Sequence, residues 1–337
     1  MSNHINCYVM RPNREFITID NNLELVEQFL NELIVSPKRV LRNWASITNQ
    51  TPAAKIGYIG QHLASLLTGV KGTRTGARGN DLEDGTEVKS CNKIDQVDNC
   101  KDCGSRVLRM EAACPKCGST NIVRKADSKW LFSVKSEDEL TQYLNLDRIV
   151  LILMDYPRFM CNDFSDIRIC AFEIYPKEER MKVFRELISN HYWNIYRPKA
   201  DKGEKTNPMD FHPLGYQFYK CNPVKTFECI IKDVDGNATI EITKYVEPSV
   251  DRNESLETEL MPTNLLQKKE WDALLKKVTI KQLAPLMRRP QLSRKEFLSL
   301  KLKEKAAVLP FLNEGMISEL PLRDVVSTTQ TTQYRRT

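Results

Sequence analysis

The sequence predicts an α/β fold: a mixed central sheet flanked by helices, a small cysteine-rich insertion, and a mainly helical C-terminal region. Three observations predict it. Apolar residues recur at helical spacing through the first third of the chain. From residue 129 to 244, apolar β-rich segments are interleaved with helical stretches. Between these regions lie two matched C-x-x-C pairs, a spacing that implies a metal staple rather than a disulfide framework.

The elements follow in order. Leu23, Leu25, Val26, Phe29, Leu30, Leu33 and Ile34 define an apolar helix face between Asn21 and Val35. Ser36 followed by Pro37 predicts a fresh helix start, running to about Ile47. A third helix is expected from Pro52 to Thr68, weakened by Gly57 and Gly60. Gly69 to Gly79 is a glycine-rich basic connector carrying Lys71, Arg74 and Arg78. It reads either as a solvated loop or as a phosphate clamp. Lys129 to Lys135 is an aromatic strand expected to continue the sheet. Ser136 with Glu139 is a capping box that opens a short helix. Arg148 to Asp155 and Ile167 to Tyr175 are apolar strands, followed by a helix from Pro176 to Asn190. Tyr216 to Tyr219, Phe227 to Lys232 and Ala238 to Lys244 read as smaller strands, the last two joined at Asp235-Gly236.

Composition limits the function. Ten cysteines in 337 residues, six of them scattered (Cys7, Cys91, Cys161, Cys170, Cys221, Cys229), suit small buried hydrophobes in a reducing cytoplasm. No apolar run nears the roughly 20 residues that span a bilayer, and the N-terminus lacks a secretory pattern, so no membrane role is expected. The net charge of +6 suits a polyanionic partner without proving one. The four histidines share no ligand spacing, which disfavours a histidine-based metalloenzyme. No Walker phosphate loop appears, so no nucleotide cofactor is expected. From Pro262 to Pro310, twelve Lys and Arg face four Asp and Glu. That excess makes either a solvated helix face or a phosphate-facing arm. The expected organisation is a core over 1–246 with the insertion at 96–126, a linker at 247–263, a basic helical region at 264–326 and a flexible tail at 327–337.

Two local patterns carry chemistry. In Asp81-Leu-Glu-Asp-Gly-Thr-Glu87-Val-Lys89, strand alternation puts Glu87 and Lys89 on one face and Val88 on the other. A two-residue turn at Asp84-Gly85 would send Asp81 to the wrong side. A three-residue loop of Glu83, Asp84 and Gly85 would pair Asp81 with Glu87. Two carboxylates and an ammonium around a divalent ion are what phosphodiester hydrolysis needs. The same trio also occurs as ordinary solvated turn residues. The second pattern, Cys100-x2-Cys103 and Cys114-x2-Cys117, is a four-thiolate set that closes the shell of a structural Zn²⁺. It acts either as a staple for a small module or as a platform for basic residues such as Arg106 and Arg109.

The run Gly76-Ala-Arg-Gly-Asn-Asp81 to Glu87-Val-Lys-Ser-Cys91, with a four-cysteine insert after it, resembles the PD-(D/E)xK nucleases and among them the MamI-like restriction enzymes. The resemblance covers roughly Lys55 to Leu140. Asn80 stands where the family usually has proline. Some members carry an acid on the helix before the first aspartate; here Gln61 is the nearest polar residue. The resemblance implies a restriction-endonuclease-like core and a type II enzyme that cuts double-stranded DNA at a short sequence as a homodimer. It further implies Mg²⁺ held by Asp81, Glu87 and the Val88 carbonyl, with Lys89 orienting the attacking water. DNA contacts are expected from Lys71, Arg74, Arg78, Ser90, Gln96, Arg106 and Arg109. The competing expectation is a non-catalytic, transcription-related zinc-ribbon DNA-binding protein.

Overall fold

The computed structural model describes residues 9–20, 23–48, 56–74, 80–92, 97–108, 113–123, 129–157, 165–213, 215–255 and 266–323. Helix α1 (Leu23–Leu30) passes through one π-helical turn (Asn31–Val35) into α2 (Ser36–Thr48) without a break. The expected helix start at Ser36 is thus corrected. Ser36 has helical dihedrals, and its N–H bonds to the Asn31 carbonyl five residues back. The wider turn accommodates Pro37, whose ring would crowd a carbonyl in a regular α turn. Helix α3 (Gly57–Thr68) stops at Gly69, which takes the left-handed φ of 69° that its cap requires.

The chain then forms β1 (Glu87–Asn92), β2 (Val97–Cys100), β3 (Arg106–Leu108), β4 (Ile122–Val123), β5 (Trp130–Phe132), α4 (Glu137–Asn145), β6 (Ile149–Asp155) and β7 (Ile167–Ile174). After these come α5 (Val183–His191), α6 (Arg197–Ala200), β8 (Met209–Phe211), α7 (Tyr216–Cys221), β9 (Val224–Lys232) and β10 (Thr239–Tyr245). The main sheet has the order β1-β6-β7-β9-β10. Its β1–β6 pair is parallel and the rest are antiparallel, so it is mixed as expected. Every residue of β6 is buried, as a central strand covered on both faces demands. Leu151, Leu153, Phe172 and Phe184 pack on one face. Val150, Ile152, Leu63 and Leu67 pack on the other, beneath α1 and α3. The described scattered cysteines, Cys91, Cys170, Cys221 and Cys229, are buried and form no disulfide among the described residues.

Gly60 lets α3 approach β1 closely. A Cβ built on it would lie 1.8 Å from Ser90 Oγ, so a glycine that weakens the helix in isolation is required by its packing. The same contact buries the Ser90 hydroxyl, which has no hydrogen-bond partner among the described residues. In this structure the Ser90 side chain packs against α3.

Two strand expectations also change. Trp130–Phe132 pairs with β8 in a separate two-stranded sheet instead of extending the main one. The Trp130 indole donates to the Ile152 carbonyl at 3.0 Å, so it is packed over β6 rather than laddered onto an edge. Tyr216 to Tyr219 is helical. Aromatic residues favour strands, but here Phe218 and Cys221 enter the sheet core while Tyr216 and Tyr219 enter a second core. Tertiary burial on two sides overrides the propensity.

That second core belongs to the C-terminal helices α8 (Lys268–Lys277), α9 (Ile280–Leu286), α10 (Arg294–Ser299), α11 (Leu302–Lys305) and α12 (Glu314–Ser318). Trp271, Leu274, Leu283, Phe297, Leu309 and Ile317 fill it. The Ser293–Glu296 capping box is present. The buried Lys220 ammonium on α7 donates to the carbonyls of Ile317, Ser318 and Leu320 at 3.1, 3.2 and 2.6 Å, which joins this region to the sheet domain. The expected linker does not begin freely at residue 247. Arg252 is fully buried and pairs with both Glu173 carboxylate oxygens on β7 at 3.1 Å. Residues 256–263 of that linker and the 327–337 tail lie outside the described residues. No helix is long and apolar enough to cross a membrane among the described residues.

Candidate active site

The site is built at the outer edge of β1. The three-residue loop is present: Leu82 N–H bonds to the Thr86 carbonyl at 3.1 Å, Gly85 N–H bonds to the Leu82 carbonyl at 3.1 Å, and Gly85 has φ of 85°. Beyond that turn the pairing differs from a simple hairpin. The Asp81 carbonyl accepts from Thr73 N–H at 3.0 Å, so the chain before the turn pairs with residues 72–73. It is the Asp81 carboxylate that reaches β1, where Oδ2 accepts from Val88 N–H at 2.7 Å. Its other oxygen accepts from Gln61 Nε2 on α3 at 2.7 Å.

The strand supplies the remaining geometry. Glu87 N–H bonds to the Arg148 carbonyl, toward β6, while Val88 N–H points to the open edge. The N–H and C=O of one strand residue point the same way, so the Val88 carbonyl also faces the open edge beside Asp81. Glu87 and Lys89 share the face occupied by Cys91, and their side chains form an ion pair. The Lys89 ammonium also lies 5.8 Å from the centroid of the Phe132 ring.

Burial and neighbouring charge act on both carboxylates. Burial raises the pKa of Asp81 above the ordinary carboxylate range, against the Val88 N–H and Lys89, which lower it. Burial raises Glu87 too; Lys89 opposes the shift and the neighbouring Asp81 charge adds to it. Two half-dehydrated carboxylates therefore share one ammonium.

Sequence reading passed over two residues and left one unassigned. Gln61, named but unassigned, grips Asp81. Tyr143 on α4 packs edge-on against Phe132 with ring centroids 5.7 Å apart. Its phenol is held well above its usual pKa, first by burial and then by the charges of Glu87, Glu139 and Asp81. Its signal was its position three residues after the inward Leu140, on a helix already marked by the Ser136 cap. Arg148 is almost wholly buried. It donates from Nε to Thr86 Oγ1 at 2.9 Å and from Nη2 to Asp84 Oδ2 at 2.7 Å, which fixes the turn from below. A cation heading the apolar run Ile149 to Met154 was its signal.

The four cysteines come together as expected. Their sulfurs all lie within 4.8 Å of one another, and the Cys100–Cys117 and Cys103–Cys114 pairs are each 3.6 Å apart. The two turns are copies of each other. Gly104 N–H bonds to the Cys100 carbonyl at 3.0 Å, and Gly118 N–H bonds to the Cys114 carbonyl at 2.8 Å. Both glycines sit at positive φ. Strands β3-β2-β4 carry this cluster, with Val107 and Ile122 as its apolar floor. Lys71, Arg74 and Arg106 are exposed, whereas Arg78, Gln96 and Arg109 lie outside the described residues.

No solved structure matches the chain. The Type II restriction enzyme MamI of Microbacterium ammoniaphilum is 35% identical over 82 residues, which is 24% of this chain and 27% of that enzyme. The match thus spans about a quarter of the relative's length. The family model described as MamI restriction endonuclease matches residues 43–264, about two thirds of the chain. The chain belongs to the MamI restriction endonuclease family.

Proposed function

We propose that this chain is a type II restriction endonuclease that hydrolyses double-stranded DNA at a short specific sequence, using Mg²⁺. The observation that carries the reading is the convergence of Asp81, Glu87 and the Lys89 ammonium at one open strand edge. The donor set fits a hard divalent ion: two carboxylates and the Val88 carbonyl offer only oxygen. Mg²⁺ bound there would stabilise charge on the reacting phosphate and activate water. Lys89 holds the attacking water, and Gln61 fixes the Asp81 carboxylate for the ion. The family's Type II enzyme supports DNA as substrate, and cutting both strands of a symmetric site favours a homodimer. Discrete plasmid fragments that require Mg²⁺ and vanish with EDTA are the expected result. A mobility shift on uncut plasmid would instead favour a DNA-binding protein without catalysis.

The cation site has a second readout. A carboxylate whose folded pKa is raised contributes stability that is complete below its unfolded pKa. That stability is lost as pH rises through the folded value. Asp81 and Glu87 should therefore weaken the metal-free fold once pH exceeds their raised folded values. Mg²⁺ is expected to raise Tm more at pH 8 than at pH 5, and Asp81→Asn should remove that difference. Equal Mg²⁺ shifts at both pH values would remove these carboxylates from the metal site.

The cysteine cluster fits a structural Zn²⁺. Thiolates about 2.3 Å from a tetrahedral ion place their sulfurs about 3.8 Å apart, close to the spacing observed. With four sulfurs the shell is closed, so the ion stabilises and does not catalyse. One zinc per chain is expected by atomic absorption. A thiol-competitive chelator should remove it and expose the backbone amides of residues 97–123 to hydrogen exchange, while β6 and β7 stay protected. Unchanged exchange in that segment after chelation would rule out a metal-dependent module.

A further inference from the structure

Asp81 lines a cleft of about 690 Å³ together with residues of α3, residues 71–74 and Glu83. Tyr58, Gln61 and His62 line the α3 wall; Lys71 and Arg74 line the other. The helical wall follows from spacing. Gly60, Leu63, Ala64 and Leu67 take the buried face of α3, which turns Tyr58, Gln61 and His62 together to the opposite side. Tyr58 is 71% exposed, an unusual state for a large aromatic residue on a helix packed to the sheet. Arg74 holds a left-handed backbone with φ of 62°, a strained setting for a non-glycine residue.

We propose that this cleft tracks the DNA strand on one side of the scissile phosphate, with Tyr58 and His62 as its positioning residues. The inference rests on the nuclease reading above. A phosphate placed at Asp81 leaves a strand that must continue outward, and Asp81 itself lines the cleft. Lys71, Arg74 and the His62 imidazole face the adjoining phosphate oxygens from its two walls. Contacts of this kind set register and orientation without reading sequence. The Tyr58 ring covers the deoxyribose, and its hydroxyl reaches the backbone. Gln61 joins the two regions, since it lines the cleft while holding Asp81 Oδ1.

The test compares Tyr58→Ala, Tyr58→Phe and His62→Ala with the wild-type chain on a duplex bearing the cleavage site that the digest defines. Tyr58→Ala and His62→Ala are expected to raise KM about ten-fold, a change of about 1.4 kcal/mol, with kcat nearly unchanged. Tyr58→Phe should recover most of the loss. Binding to the same duplex, measured in a Lys89→Ala background, should weaken in parallel. Lys71→Ala there should reduce the slope of log K against log salt by about 1. Melting curves matching wild type are expected, because Tyr58 is exposed. Unchanged KM and binding, in an enzyme that still cuts, would overturn the cleft assignment and leave the nuclease reading standing. A fall in kcat at constant KM would also overturn it, because the residues would then act at the transition state. A wild-type chain that cuts nothing would remove both.

Discussion

Lys89→Ala is expected to lower the rate of Mg²⁺-dependent DNA cleavage by about 10²–10³-fold while leaving duplex binding within a few-fold of wild type. The ammonium shares the Glu87 face of β1 and is aimed by its ion pair with that carboxylate. Phe132 backs it from below. In the proposed reaction the ammonium would lie where water meets the phosphate, and its charge would matter most as the pentavalent centre gains negative charge. Removal should therefore reduce kcat and kcat/KM alike. Lys89→Arg should recover little. The planar guanidinium is wider and delocalised, and it cannot act as a compact donor to one water. Single-turnover cleavage and filter binding of the same variant separate the two steps. Near-normal cleavage by Lys89→Ala would break the link between this strand edge and catalysis. Lost binding with normal single-turnover rates would reassign Lys89 to DNA contact.

Much of this was legible in the sequence because it is local. The Gly85 turn, the alternation through Glu87, Val88 and Lys89, and the paired cysteine turns each depend on residues within a few positions of each other. The apolar run Ile149 to Met154 announced a central strand. The rest needed contacts that no short window holds. Gln61 reaches Asp81 only because Gly60 lets α3 settle onto Ser90, so a helix weakness and a site contact share one cause. Tyr216 and Tyr219 read as strand because nothing nearby showed that they would fill a core made by helices some fifty residues later. Pro37 read as a helix start because proline there is common. The π turn that absorbs it is a backbone accommodation with no residue signature.

Arg148→Ala is expected to destabilise the fold by about 3–5 kcal/mol and to reduce cleavage beyond what the lost stability explains. Arg148 and Glu173 are each only 2% exposed at the side chain, and Asp84 5%. Truncation leaves Asp84 without its cation and Thr86 Oγ1 without its donor, in the turn that presents Asp81. It also leaves Arg252 as the one cation paired with Glu173 among the described residues, beside the Tyr175 hydroxyl. Burial raises the Glu173 pKa, yet Arg252 and Arg148 outweigh it and hold the group below the ordinary carboxylate range. A lowered folded pKa contributes stability that is present above the unfolded value and lost as pH falls through the folded one. The stability gap between wild type and Arg148→Ala should therefore be widest near neutrality and shrink in acid. Urea unfolding at pH 7 and pH 4 reads this directly. An Asp84→Asn, Arg148→Ala cycle isolates the turn's share, and strong coupling is expected because the pair is buried and hydrogen-bonded. A loss below about 1 kcal/mol would place Arg148 among ordinary surface ions. A gap that widens in acid would reverse the sign of the Glu173 contribution and refute the network as drawn. With stability lost and cleavage intact at low temperature, the turn would hold Asp81 without help from below. The catalytic geometry would then rest on Gln61 and the Val88 amide alone.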